Sequence, residues 1–279
     1  RFRNVTGVQT CALPIYGAAG GRLSAALAPR FALSCSRDLL EAAAAESAAR
    51  GLLVHTHASE QREEIAIVRA ETGRDNLEYL AAVGLATQRL CAAHCVWTTP
   101  AEQDLMAERG VKVLHCPGSN LKLGSGVAPV VEMRRKNISV SLGADGAACN
   151  NSLDMFHEMR LTATLQAMRY GPGALPARDV VWMATREGAR ALGLDQVIGS
   201  ISPGKRADFI LVRTDGLHQA PPSDPYSCLV YASRPSDVEL TVVDGEIAAR
   251  HGELTWADRG ALAAEAGVAA RRLAARARL

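Results

Sequence analysis

The chain has 279 residues, 48% of them hydrophobic, with a formal net charge of +2. That length suits one large domain or one domain with an appendage, and the small charge argues against a dedicated nucleic-acid binder. No run of about 18 apolar residues offers a membrane span, and seven cysteines without a Cys-x-x-Cys pair suggest a reducing compartment, the cytoplasm, over a disulfide framework.

Arg1 to about Gly17 has no usable period, and its start reads like translated sequencing-adapter DNA. It lacks the long apolar core of a secretory signal. It is set aside as non-native, with the expectation that the natural N-terminus is missing and the chain is a fragment.

From Leu23 the order is regular. A short strand (Leu23–Ala28) leads to Pro29-Arg30-Phe31, then to a helix over Arg37–Arg50 with Ser36 as N-cap. The apolar run Leu52–His57 reads as a buried strand, followed by helical segments over Glu60–Glu71 and Asn76–Val83. A third strand ends at His94. Thr99-Pro100-Ala101-Glu102 then forms a capping box with proline at the first helical position, and Gly110 can end that helix. Val111–Cys116 is a strand containing His115, Pro129–Asn137 a short helix, Ile138–Asp145 a strand, and Leu153–Met168 a longer helix. Helices near Ala177–Leu192 complete the wall.

This is the pattern of parallel β/α units, about five of them, where a closed eight-stranded barrel takes about 250 residues. The expected fold is therefore α/β: a partial (β/α)8 TIM-type barrel made of the later strands, over residues 18–193. Residues 194–256 read as a small β appendage, with Asp244-Gly245 marking a hairpin. Asp258–Leu279, within residues 257–279, reads as an Ala/Arg-rich helix with a solvated face.

In parallel β/α folds the chemistry gathers at the C-terminal ends of strands. His57, His94 and Asp145 all end strands there, and Glu60 follows His57 by three residues. Two imidazoles and a carboxylate can hold a divalent metal and its water, with a spare carboxylate to move protons. His55 and His57 point to one side of their strand and could both be ligands. Glu60 suggests instead that His57 is the ligand and Glu60 the proton carrier. His55, about 6.6 Å deeper along the strand, is then expected to be a buried, hydrogen-bonded histidine. Cys91, Cys95 and Cys116 read as small buried hydrophobes. His157, His218 and His251 carry no spacing signal.

The ordered stretches His55-Thr-His-Ala-Ser-Glu60, Ala92-Ala-His-Cys95, His115-Cys-Pro-Gly-Ser-Asn-Leu-Lys-Leu-Gly124 and Leu142-Gly-Ala-Asp-Gly146 resemble the amidohydrolase superfamily, in its branch of aromatic deaminases and chlorohydrolases. Leu153–Arg160 and Gly199–Asp208 continue the likeness, which runs from Pro29 to about Thr255. Within that branch the chain is most similar to the 5′-methylthioadenosine/S-adenosylhomocysteine deaminases, including the 5′-deoxyadenosine type. The resemblance implies a barrel with a composite β-sandwich, one catalytic zinc or iron, and hydrolytic removal of an exocyclic amino group with release of ammonia. It makes His57 and Asp145 metal ligands, Glu60 the acid that protonates the substrate ring, and His94 the histidine that orients the attacking water, whose proton Asp145 takes. Arg30, Glu60 and His115 are the expected substrate contacts. The partner is a small purine nucleoside, not nucleic acid or membrane, and the full-length protein is expected to be a homo-oligomer.

Two departures stand out. The family's first-strand His-x-His pair has no counterpart once His57 is placed on a later strand, so this chain by itself is expected to be inactive. Arg30, in Pro29-Arg-Phe31, stands where the family's deaminases often have a histidine, and it resembles guanine deaminases. Guanine deamination and triazine dechlorination are therefore alternatives, and an inactive barrel scaffold is the alternative of another class.

Overall fold

Ser36 accepts a hydrogen bond from Leu39 N at 3.3 Å and starts α1 (Arg37–Arg50), which Gly51 closes at φ 68°. Local signals of this kind set most elements of the computed structural model, which describes residues 17–277. Nearly all of the stretch set aside at the start, and the last two residues of the predicted C-terminal helix, lie outside the described residues.

Five strands form one parallel sheet in chain order: β1 (Ala26–Leu27), β2 (Leu53–Ala58), β3 (Leu90–His94), β4 (Lys112–His115) and β5 (Val140–Leu142). Helices α2 (Arg62–Thr72) and α3 (Asn76–Ala82) follow β2, and α4 (Pro100–Arg109) follows β3. Next come α5 (Pro117–Lys122) after β4, α6 (Val130–Arg135) before β5, and α7 (Met155–Tyr170), α8 (Ala177–Ala184) and α9 (Arg186–Ala191) after it. The capping box at Thr99 and the Gly110 stop at φ 67° are as expected. A second, antiparallel sheet joins β6 (Phe209–Val212), β7 (Val238–Val243), β8 (Glu246–Arg250) and β9 (Glu253–Leu254). Asp244 (φ 54°) and Gly245 (φ 82°) form the tight turn between β7 and β8, and α10 (Arg259–Ala277) follows with no buried residue.

Several expectations about the elements need correction, among them the strand expected to reach Asp145, which ends at Leu142. The first strand is only two residues long. The helix expected from Glu60 begins at Arg62, because the Gln61–Glu64 capping box starts it there and leaves Glu60 in the preceding loop. The helix α5 was not expected, since Gly118-Ser119-Asn120 reads as a turn.

The core lies between the parallel sheet and its helices. Val54, Leu90, Ala92, Val113 and Val140 project from the strands onto Leu40, Leu80, Met106, Met133 and Met183, all at 1% exposure or less. Burying each of these valine, leucine and methionine side chains contributes about 1.5–3 kcal/mol. Strand β2 is not buried on both faces. Val54, Thr56 and Ala58 are buried, whereas Leu53 and His57 are half-buried and His55 is exposed. His55 also makes no hydrogen bond among the described residues, so the expectation of a buried, bonded histidine fails. Its side chain lies on the sheet face opposite the helices, where little of the chain covers it. Cys91, Cys95 and Cys116 are buried at 5% exposure or less, as expected.

Candidate functional site

The strand ends are bent in a way that side chains disfavour. Ser59 (φ 51°), His94 (φ 70°), Cys95 (φ 48°) and Asp145 (φ 60°) all adopt left-handed backbone just at or beyond β2, β3 and β5. Each such residue costs on the order of 1–3 kcal/mol, and strain of this kind persists where the surroundings over-determine it. The sheet register sets His94 beside Ala58, which faces the helices. Its turned backbone instead brings the His94 ring onto that of His57, with centroids 5.2 Å apart and planes 18° from parallel.

His57 is held by one carbonyl. Arg30 O accepts from the His57 backbone N at 2.9 Å and from its Nδ1–H at 2.6 Å. A carbonyl can only accept, so Nδ1 carries a proton, and in the neutral ring Nε2 then keeps a free lone pair. A ligating imidazole is usually prepared in this way.

Glu60 and His94 meet across the strand ends, with Glu60 Oε2 3.7 Å from His94 Nε2. Ser125 Oγ donates to the other Glu60 oxygen at 3.1 Å and accepts from Gln61 Nε2 at 2.6 Å. His94 Nδ1 lies 2.8 Å from Asn120 Oδ1. Asp145 accepts from Ser119 Oγ at 2.6 Å and from Gly146 N at 2.6 Å. Partial burial pushes the Asp145 carboxyl up, but the Ser119 hydroxyl, the Gly146 N–H and the nearby His94 and His57 outweigh it and hold it below the usual carboxylate range.

Arg30, Phe31, His57, Glu60, Gln61, Glu64, Leu123, Asp145 and Cys149 line one cleft of about 200 Å³. Arg30 is exposed at its rim and forms no ion pair among the described residues. His94 lies beneath this wall at 1% exposure. His115 is not brought to the cleft. It is 1% exposed, neither ring nitrogen has a hydrogen-bond partner, and burial, with a smaller push from His94, lowers its pKa to about 3. His157 and His251 are exposed, and His218 pairs with Asp237 at 2.9 Å.

Sequence reasoning missed Ser119, Asn120, Ser125 and Gln61. For Ser119 and Asn120 the signal was present in the stretch from His115 to Gly124, whose likeness was noted without any role for its polar residues; Ser125 and Gln61 lie outside it. A proline at the first position of α5 also marked a helix start.

Among the described residues no group of three or more His, Cys, Asp or Glu side chains could hold a metal ion. The donor set still suits part of a divalent site: His57 offers a prepared Nε2, and Asp145 an ionised carboxylate, on one cleft wall. No helix among the described residues is long and apolar enough to cross a membrane.

The family model described as "Amidohydrolase family" matches residues 7–248. The 5′-deoxyadenosine deaminase of Methanothermobacter thermautotrophicus is 45% identical over 240 residues, spanning 86% of this chain and 56% of that protein. A 5-methylthioadenosine/S-adenosylhomocysteine deaminase of Moorella thermoacetica is 42% identical over 244 residues, spanning 87% and 57%. Among solved structures, an adenosine deaminase from Xanthomonas campestris with bound zinc superposes with a TM-score of 0.92 at 34% identity, covering 96% of this chain and 61% of the other. The chain spans somewhat more than half the length of the curated relatives it matches.

Proposed function

Because the chain belongs to the amidohydrolase family, we propose that its cleft is part of the active site of a hydrolytic deaminase acting on an adenosine-type compound. The substrate is 5′-deoxyadenosine, 5′-methylthioadenosine or S-adenosylhomocysteine; water replaces the exocyclic amino group, which leaves as ammonia. The observation that carries this reading is the meeting of Glu60, His94, His57 and Asp145 at the strand ends, with the His57 tautomer fixed by the Arg30 carbonyl.

His57 and Asp145 would hold one divalent metal, zinc or iron. Such an ion lowers the pKa of water and so supplies a nucleophile at neutral pH. The remaining steps belong to the chain. Glu60, held at Oε1 by Ser125, delivers a proton to a ring nitrogen through Oε2, which makes the neighbouring ring carbon electrophilic. His94 presents Nε2 toward the same point and orients the water, and Asp145, kept ionised, takes the water's proton. Arg30 at the rim donates to the substrate.

On the same reading, the parallel sheet is the later part of a (β/α)8 barrel, the antiparallel sheet belongs to a composite sandwich, and the protein is a cytoplasmic homo-oligomer. Guanine deamination is the second reading, favoured by the exposed Arg30 guanidinium at the cleft.

The test is ammonia release from 5′-deoxyadenosine, 5′-methylthioadenosine, S-adenosylhomocysteine and guanine, each with zinc in excess. Turnover of the adenosine-type compounds supports the first reading. Turnover of guanine alone replaces it with the second, and release from none of them by this sequence joined to the first part of a full-length relative rejects both.

A further inference from the structure

One short segment touches three of the four proposed reacting side chains. Ser119 and Asn120 lie on α5, and Ser125 follows three residues after its end. Ser119 holds Asp145 from beyond β5, Asn120 holds His94 at the end of β3, and Ser125 holds Glu60 from beyond β2. All three are at 1% exposure or less. Burying a polar side chain is unfavourable unless it is bonded, and these bonds go chiefly to the site, not to the segment's own backbone.

Resting on the deaminase reading, we propose that Asn120 is a positioning residue, whose side-chain oxygen holds the proton of His94 on Nδ1 and leaves only Nε2 to face Glu60 and the substrate. Without that acceptor, Nε2 would keep the ring proton, with Glu60 Oε2 as its acceptor 3.7 Å away. The ring would then have no fixed orientation for water. Asn120 does this at a cost, because its Nδ2 is buried with no hydrogen-bond partner. The same duty falls on the Arg30 carbonyl at His57, so both stacked rings carry a proton on Nδ1.

The segment itself is braced from outside the cleft. Glu158, fully buried, accepts from Gly118 N at 2.9 Å and from Asn150 Nδ2 at 2.6 Å. Lys122 Nζ donates to Ala148 O at 2.8 Å and to Asn151 Oδ1 at 2.5 Å. Trp97 Nε1 donates to Ser125 O at 2.8 Å. Asn120 therefore projects from a fixed base, as a positioning residue needs to.

The experiment is nitrogen-15 NMR of histidine-labelled protein at a pH above the usual histidine range, with His94 assigned by substitution. In the unsubstituted chain His94 Nδ1 should resonate as a protonated nitrogen. Asn120→Asp should keep it so, because a carboxylate oxygen still accepts. Asn120→Leu should shift it to an unprotonated nitrogen, while the His57 signals stay in place and report that the fold is intact. An unprotonated Nδ1 in the unsubstituted chain overturns the proposal even if Asn120→Leu fails to fold. Retention of the protonated Nδ1 in a folded Asn120→Leu chain overturns it as well. Neither outcome depends on turnover, so this assignment and the deaminase reading, which rests on ammonia release, can fail separately.

Discussion

His57 and His94 stack ring on ring although the sheet register sets His94 beside Ala58 and not beside His57. The left-handed backbone at His94 (φ 70°) makes that contact possible. One proposed metal ligand thereby rests on the residue proposed to orient water, and both are fixed through Nδ1 by an oxygen.

Zinc binding should be weak in this chain. His57 and Asp145 are two donors, whereas catalytic zinc sites use three protein ligands. Dialysis against a chelator should strip the metal, and His57→Ala should remove what binding remains. Stoichiometric zinc surviving the chelator would contradict this donor count.

Glu60→Gln should leave zinc affinity and melting temperature almost unchanged. Ser125 can still bond the amide oxygen, but no proton can be shuttled. With zinc in excess, any turnover shown by the unsubstituted chain should fall by roughly 10²–10⁴-fold. Equal rates for the two proteins would remove Glu60 from the chemistry.

Arg30→Ala tests the rim. Loss of a charge-assisted hydrogen bond costs about 1.5–3 kcal/mol in substrate binding or catalysis, with little change in stability because Arg30 is exposed and forms no ion pair among the described residues. A substrate with no acceptor at that position should lose less. Uniform losses across substrates together with a lower melting temperature would make Arg30 structural.

Acid should destabilise the fold through His115. Burial depresses its folded pKa to about 3, while the unfolded chain titrates near the usual histidine value of about 6.5. Between these values the unfolded state binds the extra proton, so the stabilisation from neutral His115 is complete above the upper value and is lost as pH falls toward the lower one. Melting temperature against pH should therefore slope downward on acidification, and His115→Phe should flatten that slope. Glu64 and Glu102, raised chiefly by burial, work in the opposite direction near the carboxylate range, so the comparison with His115→Phe isolates the histidine. An unchanged slope in the variant would refute it.

Gly118→Ala should destabilise by about 1–3 kcal/mol. An added Cβ would run into Glu158 Oε1 and lie 2.7 Å from Asn150 Nδ2. At Gly146 the same atom meets nothing within 4 Å, so Gly146→Ala serves as the control in thermal melts.

The sequence alone determined the elements whose causes are local. Ser36 and Gly51 bound α1, Thr99-Pro100 and Gly110 bound α4, and Asp244-Gly245 turns β7 into β8, because caps and turns are settled by neighbouring residues. It also indicated His57, Glu60, His94 and Asp145, since strand ends in parallel β/α units are where side chains converge. Tertiary structure decided what depends on distant partners. The exposure of His55 depends on what covers its face of the sheet, and the burial of His115 away from the cleft depends on packing around β4. The tautomer of His57 depends on a carbonyl 27 positions away in the chain, and that of His94 on an asparagine 26 positions away. Neither partner leaves any period or spacing to read, because a hydrogen bond between loops at the ends of different strands is fixed by how the sheet is assembled.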